Sequence, residues 1–295
     1  MHYFKQLVTT LSLAITVVQA VTNFGGIAVS NSPSTPSYTC RSQAQWNDIA
    51  NQARNNGFRS IRIIGFDCEA LPRAASAAAS AGLTVLAGIW VDGSMAQSAG
   101  NIRRDLDTFR AAYNQFGSGR FAGLTIGNEV GDSAVNIINK VNESRNFLRS
   151  VGVNTPVSTV HTWVFIRDNR VLCNADFVGA NAHAFFDGNF AAEQTGDFVF
   201  KTVVPNLKSA CPGREIRITE SGWPTRGPAN GRAVPGLDQA RSALLNLNCA
   251  CRDDRSVTVY AFEADDQIWK PENDWERSFG IFGKFNLNGE VFAPC

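Results

Sequence analysis

The chain has 295 residues, a near-balanced charge (27 Lys and Arg against 26 Asp and Glu, net +1) and 44% hydrophobic residues. With no basic run and both signs mixed along its length, it offers no electrostatic footprint for nucleic acid, and an uncharged polymer suits it better than a charged one. The length beyond a short leader fits one domain, because barrels of about 250 residues commonly form single units.

The leader comes first in chain order. Met1 to about Gln19 reads as one Lys, then the apolar run LVTTLSLAITVV, then Val18-Gln19-Ala20. That order is a secretory signal with cleavage near Ala20, which leaves residues 21–295 as the mature domain. The apolar run is shorter than the ~20 residues that span a bilayer. The C-terminal GEVFAPC has no hydrophobic tail of a lipid-anchor signal. A secreted, monomeric protein with no membrane partner is expected.

Apolar runs then alternate with amphipathic ones. FGGIAVS (24–30) reads as a first strand, followed by NSPSTPSYTC and the helical QAQWNDIANQARNNG, whose Trp46, Ile49, Ala50 and Ala53 share a face. SIRIIGFD (60–67) precedes the Ala-rich ALPRAASAAASAG, which ends on Gly82. LTVLAGIW (83–90) precedes IRRDLDTFRAAYNQFG, with Leu106, Phe109, Tyr113 and Phe116 at helical spacing and its charges on a solvated face. FAGLTIGNE (121–129), TPVSTVH (155–161), DFVGANAHAF (176–185), EIRITES (215–221) and SVTVYAFEA (256–264) complete eight strands. Eight strand–helix repeats predict an α/β fold, a single-domain (β/α)8 TIM barrel. An open doubly wound sheet is the alternative, but NSPSTPSYTC holds neither GxGxxG nor a phosphate-binding lysine.

Seven cysteines in a secreted chain should pair, with Cys295 tying the tail to the barrel and at least one thiol left over. Cys249 and Cys251 lack the second pair that a zinc site needs, and one of the three histidines lies in the leader. No metal and no cofactor is expected. Asn142-Glu143-Ser144 is the single glycosylation sequon.

Barrel chemistry sits at the C-terminal strand ends. Those ends are Asp67, Trp90, Glu129, His161, His183, Glu220 and Glu263, a polar and aromatic ring suited to a sugar. Glu129 ends the fourth strand after Gly127-Asn128, and Glu220 ends the seventh before an abrupt Ser221-Gly222-Trp223-Pro224 turn. Strands four and seven face each other across such a barrel, so the two carboxylates can stand at the ~5–5.5 Å of a retaining glycosidase. Read alone, either acid is a solvated rim residue, His183 a hydrogen-bonded rim histidine, and Trp223-Pro224 a packed corner. The joint pattern is what points to chemistry.

LTIGNEV followed by ITESGWP resembles glycoside hydrolase family 17, the β-1,3-glucanases, and especially its compact fungal members. IRIIGFDC, LAGIW, HTW, ANAHAFF, FEADDQIWK and ERSFGIF extend the likeness over nearly the whole mature chain. The resemblance implies catalytic acids on strands four and seven, with Glu220 as nucleophile and Glu129 as general acid and base. Glu129 should have a pKa raised by the neighbouring Glu220, and Glu220 should find donors in the turn after it. Asn128 would hold the sugar 2-hydroxyl. Trp163, Trp223, Trp269 and Tyr260 are candidates to line subsites, Trp163, Trp269 and Trp275 together could form an acceptor platform, and Lys270 and Glu276 match positions that brace the site. His183 joins this substrate-binding set. The expected partners are β-1,3-glucan oligo- and polysaccharides, for hydrolysis and transglycosylation at a fungal cell wall. An idle glucan-binding wall protein is the alternative. The sequence departs from the family pattern at Ile64, where a tyrosine is usual, at Gln267, where an acid is usual, and at Ala184, where a proline is usual.

Overall fold

The computed structural model describes residues 22–292 and Cys295, so the leader and its cleavage site lie outside the described residues. Eight parallel strands close into one barrel in sequence order: β1 (Gly26–Ala28), β2 (Ser60–Arg62), β3 (Thr84–Ile89), β4 (Phe121–Asn128), β5 (Val157–Thr162), β6 (Val178–Asn181), β7 (Ile216–Ser221) and β8 (Thr258–Ala261). Helices α1 (Gln43–Asn55), α2 (Ala70–Ala81), α3 (Ala99–Phe116), α4 (Ala134–Ser150) and α5 (Trp163–Asp168) follow the first five strands. After β6 come the short α6 (Ala184–Asp187), α7 (Thr195–Asp197) and α8 (Val204–Ala210), with a π-helical turn between the last two. The long α9 (Leu237–Asp253) precedes β8. No helix among the described residues is long and apolar enough to cross a membrane.

Local chemistry sets these boundaries. Ser42 and Gln45 exchange side-chain and backbone hydrogen bonds at the start of α1, and Trp46, Ile49, Ala50 and Ala53 are its buried face, as their spacing implies. Gly82, at φ 70°, closes α2. On α3, Leu106 and Phe109 are buried, while Tyr113 and Phe116 pack against the core only in part. The tail returns beneath the barrel, where Phe292 packs edge-on against Phe24 and Phe58.

The barrel interior is layered. In the lower layer Tyr260 packs with Leu86 and Phe177, donates its hydroxyl to Ser60, and lies near the Arg217 guanidinium that covers the Phe177 ring at 3.9 Å. This placement corrects the expectation for Tyr260. It lies on β8, two residues before Phe262 just past the strand end, so it sits one layer, about 6–7 Å, deeper than the substrate face. The layer above holds Ala28, Phe262 and Phe279, and the cleft opens over it.

Candidate active site

Three of the barrel's register shifts fall at the C-terminal ends of β4, β6 and β7, where Asn128, Asn181 and Glu220 stand. Such irregularities re-aim side chains. Gly127 and Glu129 both take positive φ, 80° and 52°, and a non-glycine residue held there costs about 1–2 kcal/mol. The twist turns the Glu129 carboxylate to Asn181 on β6, whose Nδ2 donates to it at 2.8 Å.

A continuous polar network joins the two acids. Arg62, a buried guanidinium on β2, donates through Nη1 to Glu220 at 2.7 Å and through Nη2 to Asn128 Oδ1 at 2.8 Å. Asn181 Nδ2 donates also to Asn128 Oδ1 at 3.2 Å, and Thr219 fixes the Asn181 amide by donating to its Oδ1 at 2.8 Å. With its oxygen committed twice, Asn128 presents its amide nitrogen as a donor. His183 Nε2 lies 3.3 Å from the second Glu220 oxygen.

The two acids are pushed in opposite directions. Burial, and then repulsion from Glu220, raise the Glu129 pKa, with partial relief from Asn181, His183 and Arg62. Burial works to raise Glu220 as well, but the Arg62 charge and the His183 contact outweigh it and hold Glu220 down at about 2. Two sequence expectations change here. Burial contributes more to the Glu129 shift than its neighbour does. The donors to Glu220 come across the barrel from β2 and from the residue opening α6, and the turn after the strand supplies none of its side-chain hydrogen bonds.

Both carboxylates line one cleft of about 1180 Å³. Asn128, Trp163, His183, Trp269, Lys270 and Glu276 line it too. Trp163 carries the Arg167 guanidinium over its ring at 5.2 Å. Trp269 is pinned by its indole N–H to Gln267 Oε1 at 2.6 Å and by the edge of Tyr38 at 4.7 Å. The departure at Gln267 thus exchanges an acid for an amide that orients an aromatic wall. Lys270 Nζ reaches Glu276 at 3.3 Å. Trp223 is not a cleft residue: it is 2% exposed, its N–H donates to the Val234 carbonyl, and its ring meets Phe185. It packs the barrel corner because that carbonyl satisfies its polar edge inside the protein. Trp275 does not line the cleft either, and its indole N–H donates to the Pro228 carbonyl at 2.7 Å. His161 stacks on Phe165 at 3.7 Å and stays outside the network.

Sequence reasoning missed Arg62, Asn181, Tyr38 and Phe186. The signal for Arg62 was a charge within the apolar run SIRII, since a buried arginine needs partners. Asn181 ends an apolar β6 in the same way. Trp90, a strand end in sequence, is a half-exposed cleft wall. Among the described residues no group of three His, Cys, Asp or Glu side chains could hold a metal ion.

The sequence matches the BtgE/BtgC glycoside hydrolase domain over residues 27–280. It is 30% identical to the cell surface mannoprotein MP65 of Candida albicans, over 88% of this chain and 67% of that protein. It is also 30% identical to the probable family 17 glucosidase SCW10 of Saccharomyces cerevisiae, over 87% of this chain and 64% of that protein. The chain therefore spans about two thirds of the length of these relatives. A family 17 β-1,3-glucanosyltransferase from Rhizomucor miehei superposes with TM-score 0.74 at 19% identity, over 89% of this chain and 94% of that one. An active-site mutant of that enzyme in complex with laminaritriose gives 0.73 at 18%, over 88% and 92%. At these identities the structural likeness carries the fold. The match over residues 27–280, which runs from within β1 through β8 and holds both strand-end acids, means that the chain belongs to the BtgE/BtgC glycoside hydrolases of glycoside hydrolase family 17.

Proposed function

We propose that this chain is a retaining glycosidase on β-1,3-glucan that both hydrolyses and transfers. The observation that carries the reading is a pair of cleft carboxyls pushed in opposite directions, Glu220 held down at about 2 against Arg62 and Glu129 raised by burial and by Glu220. In the first step Glu220 attacks the anomeric carbon as the glycosidic bond breaks, and Glu129 gives its proton to the leaving oxygen. The ester that forms no longer carries the Glu220 charge, so one cause of the raised Glu129 pKa disappears. Glu129, now a carboxylate, takes a proton from the incoming hydroxyl, which attacks the anomeric carbon and frees Glu220. The Asn128 amide N–H is free to hold the 2-hydroxyl, a contact that strengthens in the transition state.

Water and a second sugar compete for the same intermediate. Water is present at about 55 M, but a positioned acceptor can reach effective molarities of 10⁵ M or more. Trp163, Trp269 and the 45% exposed Phe186 line the cleft and offer faces for a sugar. Support for this substrate comes from the Rhizomucor enzyme, a β-1,3-glucanosyltransferase whose mutant was crystallised with laminaritriose. The Candida relative is described as a cell surface protein, which fits the leader and a place of action at the cell wall.

The experiment is a product profile over time from a laminari-oligosaccharide of defined length at millimolar concentration. Products longer than the substrate, reduced by Trp163→Ala or Trp269→Ala, are expected alongside shorter ones. Proton NMR in the first minutes should find the β anomer, since two inversions restore the configuration. Only shorter sugars at every concentration would leave a plain hydrolase. No product at all would leave a glucan-binding wall protein.

A further inference from the structure

Glu263 has no part in the two-acid scheme, yet it follows β8 in the cleft wall and is 4% exposed. Its backbone is locked to the following loop, with its N–H donating to Phe279 and its carbonyl accepting from Ile281 at 2.9 Å. The rings of His183, Phe262 and Phe279 cluster beside it with centroids 5.1–5.4 Å apart. Its Oε1 is buried and has no hydrogen-bond partner. The ammonium of Lys270 acts on Glu263 through its charge, while its side-chain hydrogen bond goes to Glu276 at 3.3 Å. A buried polar atom left without a partner is destabilising, and one that lines a binding cleft is satisfied when a ligand arrives.

The charge around this carboxyl decides which form it takes. Burial is the largest influence and raises its pKa well above the ordinary value. Glu220 on β7 and Asp265 and Asp266 in the loop after β8 push the same way. The opposing cations are Lys270 and, through its own interaction with Glu263, Lys284. A protonated carboxyl offers one O–H donor and one carbonyl acceptor, the complement of a sugar hydroxyl.

We propose that Glu263 is a substrate-reading residue, whose carboxyl hydrogen-bonds a hydroxyl of the glucosyl unit seated over Glu220. The inference rests on the reading of this cleft as a β-1,3-glucan site. Removing the carboxyl leaves that hydroxyl unpaired against the buried wall of the cleft, where a mismatch of this kind is costly. Ionising it removes the donor and adds a negative charge close to Glu220.

The test is calorimetric binding of laminaritriose between pH 5 and 9 to a Glu129→Gln background that suppresses turnover. Glu263→Ala is expected to weaken binding by about 10–100-fold at pH 5, and Glu263→Gln by no more than about threefold. The background itself should lose affinity as pH rises and Glu263 ionises, whereas the protein that also carries Glu263→Gln should lack that alkaline limb. Circular dichroism and melting check each variant's fold. Should Glu263→Ala fail to fold, the isosteric Glu263→Gln and its pH profile decide alone. Unchanged affinity in Glu263→Ala, or the same alkaline limb in Glu263→Gln, overturns the assignment and leaves the glucan reading standing. No laminaritriose binding by the background at any pH overturns both.

Discussion

Arg62 donates to Glu220 and to Asn128 from a single guanidinium, so one planar fork sets both the charge of Glu220, the proposed nucleophile, and the tilt of the Asn128 amide. A lysine ammonium is a point charge and cannot hold the two at once. Arg62→Lys should lower kcat/KM by about 100-fold and move the acid limb of the pH–rate profile above the wild-type value, because Glu220 loses part of what holds it near 2. The acids themselves separate by stereochemistry. On an activated β-glucoside, azide should rescue Glu220→Ala with an α-azide product and Glu129→Ala with a β-azide. Full activity in either variant with an unchanged fold would remove it from the mechanism.

Stability carries the same electrostatics. Glu220 has a folded pKa below the unfolded value of about 4.3, so its contribution is present above that pH and is lost as pH falls toward 2. Glu263 has the opposite sign: its contribution is present below about 4.3 and is lost as pH rises toward its raised folded pKa. Glu263→Gln should therefore melt with the wild type at pH 4 and above it at pH 8. A melting-point difference that does not grow with pH would mean that Glu263 is not held protonated.

At the scale of elements, the abrupt end of β7 has a steric cause. A Cβ on Gly222 would stand 1.9 Å from the Phe262 carbonyl oxygen, so the segments just past β7 and β8 approach here only because that position has no side chain. Gly26 faces the same limit, with Tyr260 at 2.4 Å and the Ser60 carbonyl at 2.6 Å from an added Cβ. Gly222→Ala should lower Tm by about 5 °C or more, as overpacking against backbone costs about 1–3 kcal/mol. Gly100→Ala on α3 meets nothing within 4 Å and should leave Tm unchanged or slightly raised. Equal effects of the two would show that the β7–β8 contact is not tight.

For the whole molecule, three disulfides close loops that the barrel alone leaves loose. Cys40–Cys68 joins the loop after β1 to the loop after β2, beside the Tyr38 wall of the cleft. Cys173–Cys211 links the segment after α5 to the end of α8, and Cys249–Cys295 ties the tail to α9. With separations of 28, 38 and 46 residues, each is worth about 3–4 kcal/mol in a chain-entropy view. Cys251 is free and buried, and burial pushes its thiol pKa up. Alkylation without reductant should label no cysteine in the native protein and one after unfolding, read by mass spectrometry. Labelling at more than one site would contradict this pairing.

The eight strands and both acids were legible in the sequence because their causes are local. β-favouring runs end at polar residues, glycines close helices, and Trp46, Ile49, Ala50 and Ala53 repeat with the helical period. An odd number of cysteines likewise required a leftover thiol, though not which one. Other properties needed closure of the barrel. Arg62, Asn128 and Asn181 lie on β2, β4 and β6, and nothing in their spacing along the chain says that two of them will share an oxygen of the third. Tyr260 and Trp223 read as cleft aromatics in sequence, but layer depth puts one in the barrel floor, and the Val234 carbonyl seats the other in a corner. Composition along the chain decides which residues are chemically able to act. The charge each one carries, and what it touches, depend on groups far apart in sequence that only the closed barrel brings within hydrogen-bond reach.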